Sequence, residues 1–480
     1  MLQGTGSNVG KSLIVAGLAR ALLRRGYRIA PFKPQNMSNN AAVATNGGEI
    51  GRAQALQALA AGLPPTSDMN PVLLKPETET GAQLIVQGQN RGSLKASQYF
   101  SDRRELLPYI VESFQRLSRE VDLVLVEGAG SPAETNLRHS DIANMGFATE
   151  LGIPVVLIGD IDRGGVSAQL VGTKMVLDER DQKHIAGFLV NKFRGDKSLV
   201  HGLIADIEYR TGWTSLGTIP WFENAWHLPE EDVLDIRSQA GDGITVAVPR
   251  LPRIANFDDL GPLAAEPSVQ VDIIPPGQII PTAADLILLL GSKSTISDLE
   301  FLREQGWDID IASHVRRGGY LFGLCGGFQM LGQTIDDPLG LEGTAGKING
   351  LGYFDMQTTL GKTKHLANRQ AQCVTSKESL TGYEIHLGET VGVALAHPWF
   401  IIDDRPEGAQ ALGGRVRGTY LHGIFASDSF RSRLLAEFNQ TSIVAYSDMI
   451  EQTLDELAEH LEQHMDFEEF LRLSKEPLCQ

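Results

Sequence analysis

Short apolar runs alternate with helix-forming stretches along this chain, and the alternation restarts once. That pattern restricts the fold to two α/β units. In the first, YRIAPFK (27–33), DLVLVEGAG (122–130), IPVVLIGD (153–160) and HIAGFLVNKF (184–193) are rich in Val, Ile and Leu and end in Gly, Asp, Lys or Asn. Between them, SLIVAGLARALLRRG and GRAQALQALAAG carry Ala and Leu at helical spacing. Strands that are apolar throughout are buried on both faces, so the pattern predicts a parallel sheet covered by helices. A polar, glycine-containing stretch, RSQAGDGI (237–244), reads as a linker. Alternation resumes with ITVAVPRL, VQVDIIPPG, ADLILLLGS and GGYLFGLC. This predicts a first domain over 1–236, a linker over 237–243, a second domain over 244–436 and an acidic helical tail over 437–480. In the tail, Ile450, Leu454, Leu457, Leu461 and Met465 form one apolar stripe, which packs on the domain or on a second copy of the chain. A homo-oligomer therefore stays open.

A length of 480 residues suits two domains. Three scattered cysteines, Cys325, Cys373 and Cys479, make no disulfide framework and no CxxC metal motif. The opening MLQGTGSNVGK lacks the basic and apolar regions of a signal peptide, and no apolar run approaches the roughly 20 residues that span a bilayer. The cytoplasm is the expected compartment. A formal net charge of −17 argues against a nucleic-acid or anionic-membrane partner. It is compatible with a small anionic substrate in a local basic pocket.

Residues 4–12, GTGSNVGKS, lead directly into a strong helix signal. A glycine-rich loop before a helix aims backbone N–H groups at phosphate, and the helix N-terminus favours the negative charge. Gly6, Ser7, Asn8 and Gly10 form the expected cradle, Lys11 neutralises β/γ-phosphates, and the Ser12 hydroxyl can ligate Mg²⁺. The strict Gly-x4-Gly-Lys-Ser spacing is not met, because Thr5 stands at the first glycine position. The loop is therefore expected to draw its unusual backbone angles from Gly6 and Gly10. Glu127 ends an apolar strand of the same sheet and is a candidate metal carboxylate, since ligands sit at the carboxyl ends of such strands. Asn191, at another strand end, is a candidate for reading a purine edge. Lys33, in FKPQNM, is placed to meet an anionic substrate oxygen.

Gly323-Leu324-Cys325-Gly326-Gly327 matches a nucleophile elbow with Cys in place of Ser. The sharp strand-to-helix turn exposes the sulfur at a helix N-terminus, which favours thiolate. It also offers the Gly326 N–H as an oxyanion donor. A nucleophilic cysteine needs a base, and His422 in RGTYLHGIF follows a β-like run near the end of the same domain. His386 in GYEIHLG is the runner-up.

Together, GTGSNVGKS, FKPQNM, GGEIGRAQALQA, MNPVLLKP, GDIDRGG, NKFRGD, GLCGGFQMLG, GYEIHLG and YLHGIF resemble the glutamine-dependent cobyric acid synthases of cobalamin biosynthesis. The resemblance runs from residue 3 to about residue 436. It implies a dethiobiotin-synthetase-like ATP domain followed by a class I glutamine amidotransferase domain of flavodoxin-like α/β fold. It further implies glutamine, MgATP and an anionic corrinoid, adenosylcobyrinic acid a,c-diamide, whose four peripheral carboxylates (b, d, e, g) become amides. By resemblance Cys325 is the glutaminase nucleophile and His422 its base. Gln329 contacts bound glutamine, and Gly291 helps form the oxyanion hole.

Two positions depart from the pattern. The class usually carries Glu two residues after the His, where this chain has Ile424, and its Pro-Gly-Ser-Lys is Leu290-Gly291-Ser292-Lys293 here. The nearest competing family is the cobyrinic acid a,c-diamide synthases, with the same two domains and different target carboxylates. A regulatory P-loop switch with an inactive glutaminase would carry a second lysine near the loop start, and residues 4–10 contain none.

Overall fold

The first domain is wound on a parallel sheet in the order Ile29–Phe32, Leu123–Val126, Leu2–Gly4, Val155–Asp160, Ile185–Phe193, Thr214–Pro220. A bridge between Leu2 and Glu127 joins the first pair of strands to the other four. In this computed structural model, residues 1–77, 81–95, 99, 103–229, 238–343 and 345–475 are described. Arg237 of the expected linker, and the end of the tail with Cys479, lie outside them. Two helices border the ligand-binding edge of this sheet, α1 (Lys11–Arg24) and α2 (Arg52–Ala60). The strand ends Gly4, Phe32, Val126 and Asp160 all reach that edge, which is where a doubly wound fold binds ligand.

The second domain repeats this logic. Its strands Val269–Ile274, Ile244–Pro249, Leu286–Leu289, Tyr320–Leu324 and Val416–Thr419 are parallel neighbours in that order, and Ala409–Ala411 closes the edge antiparallel. Leu286 to Leu289 and Leu321 to Leu324 are buried on both faces, as continuous apolar runs require, with Gly323 among them.

Antiparallel additions are what the apolar-run pattern does not show. The hairpin Gln357–Cys373 and Ser379–Val391 carries polar residues on an open face, so its apolar residues never form a run. A side sheet of Gln35–Met37, Val72–Pro76, Gly81–Val86 and Gln89–Lys95 does the same in the first domain. These additions meet one another: Ala41, Val43, Leu73 and Ile85 pack against Tyr383 and Ile385 across the domain junction.

Beyond the second domain the chain returns to the first. Helices Tyr446–His464 and Phe467–Lys475 bury Leu454, Leu457, Leu461 and Phe470 in one core with α1. A Cβ at Gly17 would lie 2.5 Å from Leu461 Cδ1, so glycine is what lets the helices approach this closely. The acidic face meets arginines at the end of α1 and just past it, with Arg24–Glu459 at 3.0 Å and Arg25–Glu462 at 2.8 Å. Among the described residues no helix is long and apolar enough to cross a membrane.

Candidate active sites

The phosphate loop turns from the strand Leu2–Gly4 into α1 through two left-handed residues, Asn8 (φ 59°) and Gly10 (φ 94°). Gly6 is not left-handed, contrary to expectation; Asn tolerates that conformation best after Gly and takes the turn at position 8. A Cβ at Gly10 would sit 2.4 Å from Asn191 Nδ2. Asn191 Nδ2 donates to Val9 O at 2.8 Å, so this amide also braces the loop. Lys11 Nζ donates to Gly6 O at 3.1 Å and Gly130 O at 3.4 Å, crossing the loop.

Glu127, 1% exposed, gathers the rest of this site. Its Oε1 accepts from Ser12 Oγ at 2.8 Å and from Lys33 Nζ at 2.9 Å. Its Oε2 accepts from Gln57 Nε2 at 2.6 Å, and Gln57 also donates to Ser12 O at 3.2 Å. Ser12 and Glu127 thus present adjacent oxygen donors, the ligand type a hard divalent cation takes. No group of three or more His, Cys, Asp or Glu poised for a metal exists among the described residues, so two protein oxygens plus phosphate and water is the fitting arrangement for such an ion. The site opens into a cavity of about 820 Å³ that Ser7, Asn8, Lys33, Arg103, Arg138, Arg163, Lys192 and Trp221 also line. Its cations, Lys11 included, outnumber the carboxylates Glu127, Glu134, Asp141 and Asp162 that share the lining, an excess that suits an anionic occupant despite the acidic chain.

At the second site, Cys325 follows the strand Tyr320–Leu324 and precedes the helix Gly326–Met330 with φ 52° and ψ −110°. That strained conformation is the elbow itself. The glycines after it are required by packing. A Cβ on Gly327 would lie 2.1 Å from Leu289 O, and one on Gly326 would lie 2.8 Å from Ser292 N. Gly291 sits against both candidate side chains, since a Cβ there would be 3.2 Å from His422 Cε1 and 3.6 Å from Cys325 Cβ.

The structure brings His422 to Cys325 and supplies a third member. His422 Nδ1 bonds Asp259 Oδ2 at 2.7 Å, while Asp259 Oδ1 accepts the Gly423 N–H at 2.6 Å. The imidazole shares a small cavity with Cys325, whose Sγ–H donates to the Ile385 carbonyl at 3.5 Å. Burial alone would lower the imidazole pKa, but the charge and hydrogen bond of Asp259, with Cys325, raise it to about 10. Asp259 thus favours the protonated imidazole. Ile424 is fully buried in the apolar core, so the class's usual carboxylate position is hydrophobic, and the carboxylate that meets His422 is Asp259, 163 residues upstream of it. Nothing in the local sequence FDDL announces this.

His386, the runner-up, is pushed down to about 3 by burial and by His365 and His422. Its ring is stacked between His365 at 4.7 Å and Tyr420 at 3.8 Å, which suits a neutral wall. Gln329 is buried, donating to Leu387 O at 3.1 Å and Tyr420 Oη at 3.2 Å and accepting from Thr295 Oγ1 at 3.2 Å. Glu342, which accepts the Thr295 N–H at 2.8 Å, is a further carboxylate in the same small cavity of about 40 Å³.

The first domain forms part of this cavity's wall through Lys75. Glu49 lies between Lys75 and Lys364 and bonds both. Burial would raise its pKa, but Lys364 and Lys75 hold it down to about 2. Beside it Lys293, next in chain to the Gly291-Ser292 turn, pairs with Glu77 of the first domain at 3.0 Å.

Comparison with known proteins agrees with this two-site arrangement. The CobQ/CobB/MinD/ParA nucleotide binding domain matches residues 1–235, and the CobB/CobQ-like glutamine amidotransferase domain matches residues 245–430. The cobyric acid synthase of Ruegeria sp. is 59% identical over 475 residues, covering 99% of this chain and 98% of that protein. Those of Cereibacter sphaeroides and Rhodobacter capsulatus are 56% and 55% identical over 477 residues, with 99% of each chain covered. Such identity across nearly the full length, with both domains in the same order, shows that the chain belongs to the cobyric acid synthase family.

Proposed function

We propose that this enzyme amidates the b, d, e and g carboxylates of adenosylcobyrinic acid a,c-diamide, using ATP and glutamine. The observation that carries the reading is the pairing, in one chain, of a Cys325–His422–Asp259 site with a phosphate loop whose Lys11, Ser12 and Glu127 face a large cationic cavity.

A carboxylate is a poor acyl donor because it offers no good leaving group, so its oxygen first takes the γ-phosphoryl group of ATP and ADP leaves. Lys11 and the loop N–H groups hold the phosphates, and Lys33 neutralises the substrate carboxylate. Ser12 and Glu127 would hold Mg²⁺, which supplies charge neutralisation on the phosphate oxygens. In the second domain Cys325 Sγ, as thiolate, attacks the glutamine amide carbon. The Gly291 and Gly326 N–H groups stabilise the oxyanion, and His422 protonates the departing nitrogen, which leaves as ammonia. Water, deprotonated by His422, then hydrolyses the thioester to glutamate and restores the thiolate. Glu342 is the carboxylate placed for the α-ammonium of glutamine. Ammonia displaces phosphate from the acyl phosphate in the first domain, giving the amide.

Mass spectrometry of the corrinoid product tests the assignment. A gain of four amide nitrogens is expected, and a product that stops at two would assign the chain to diamide synthesis instead.

A further inference from the structure

The motif GGEIGRAQALQA has no role in the amidation chemistry, yet its helix touches both sites. At one end of α2, Gln57 bonds Glu127 and the Ser12 carbonyl. At the other, Arg52 crosses the domain junction. Its Nη2 donates to Tyr383 Oη at 2.6 Å and to Ala41 O at 2.9 Å, and pairs with Asp258 Oδ2 at 2.9 Å. Gln57 lies five residue steps along the helix from Arg52, roughly 7.5 Å of helix rise.

Two of these three Arg52 contacts, those with Asp258 and Tyr383, lead to the catalytic histidine. Asp258 and Asp259 are consecutive in one short turn, Phe257–Leu260, so an anchor on Asp258 also fixes the carboxylate that grips His422. Tyr383 stacks on the His422 ring with centroids 5.2 Å apart and planes 13° from parallel. Asn256 completes the bracket, donating to Ala41 O at 2.9 Å and Tyr383 Oη at 3.1 Å. Arg52 is the cation in this bracket, and it comes from the other domain.

We propose that Arg52 is a positioning residue for the glutaminase, setting His422 through Asp258 and Tyr383, and that α2 makes this setting respond to occupation of the nucleotide site. The proposal rests on the assignment of Cys325 and His422 as the glutaminase pair. Ligand at Ser12 Oγ and Glu127 Oε1 displaces the bond between those two atoms, and any resulting turn of the Glu127 carboxylate is passed to α2 through the Gln57 bond to its Oε2. A helix of nine residues moves as one piece, so the shift reaches Arg52.

The test uses the full-length enzyme and compares Arg52→Met, Arg52→Lys and Asp258→Asn with the parent. Glutamate release is measured with and without ATP, Mg²⁺ and corrinoid, alongside amidation driven by ammonium. Parent glutamate release should rise when all three are present, within the roughly 5–150-fold range of coupled sites. Arg52→Met should lower glutaminase kcat about tenfold or more with KM for glutamine little changed, and flatten the rise. Asp258→Asn should behave alike, and Arg52→Lys should recover part of the loss. Ammonium-driven amidation by Arg52→Met should stay within about twofold of the parent. Unchanged kcat, an equal fall in ammonium-driven amidation, no recovery with lysine, or a parent indifferent to nucleotide and corrinoid would each overturn the proposal. Cys325→Ala separates the two readings. If it still hydrolyses glutamine, the glutaminase assignment itself fails; if it is inactive while Arg52→Met is unaffected, only the positioning role fails.

Discussion

The nucleotide site and the glutaminase site are built on similar sheets but assembled differently. The first takes Lys11 and Ser12 from one continuous loop and adds Glu127 and Lys33 from the strand ends beside it. The second joins Cys325, His422, Asp259 and Gly291 from four separate segments, and borrows a wall from the other domain. The first is a cavity of about 820 Å³ and the second one of about 40 Å³. A large open site can be preformed by one sheet. A small closed one depends on how segments far apart in sequence meet, and so on the domain junction.

That contrast can be broken at its two ends. Lys11→Ala should abolish amidation with either nitrogen donor, because the acyl phosphate never forms. Cys325→Ala should abolish amidation from glutamine while retaining it with high ammonium. Assays with both donors check the pair, and matching losses in both variants would erase the division of labour. A smaller effect is expected at Asp259, where Asn cannot stabilise an imidazolium. Asp259→Asn should lower glutamine-dependent kcat on the order of 10²–10⁴-fold and spare the ammonium reaction.

Glu49 tests the junction. Because its pKa is held at about 2 against 4.5 for the free side chain, it contributes stability above pH 4.5 that is lost as pH falls through 2. Glu49→Gln leaves Lys75 and Lys364 buried without their counter-charge, a change that typically costs about 3–5 kcal/mol. Thermal unfolding at pH 7 should show a lowered Tm, with glutaminase activity failing before ammonium-driven amidation on heating. An unchanged Tm would mean the ion pairs do not hold the junction.

What the sequence makes legible follows the same division. The parallel strands stand out because burial on both faces makes them apolar throughout, whereas the 357–391 hairpin is half solvated and hides its apolar residues among polar ones. Lys11, Ser12 and Cys325 lie in loops whose local backbone defines the chemistry, so spacing alone points to them. Asp259 has no such signal, since its relation to His422 exists only once strands of the second domain are side by side. Gly6 and Asn191 show the opposite limit: the loop's composition is readable, but which residue turns left-handed and which amide braces it depend on contacts with Val9 and Gly10.

The most direct measurement of nitrogen transfer between the sites uses glutamine labelled with ¹⁵N in its amide, unlabelled ammonium as competitor, and mass spectrometry of the corrinoid product. At ammonium concentrations well below those that drive amidation alone, the parent enzyme should place mostly labelled nitrogen, and Cys325→Ala should place only unlabelled nitrogen. A labelled product from Cys325→Ala, or a parent product with no label, would contradict the transfer of nitrogen from the Cys325 site to a carboxylate activated at Lys11.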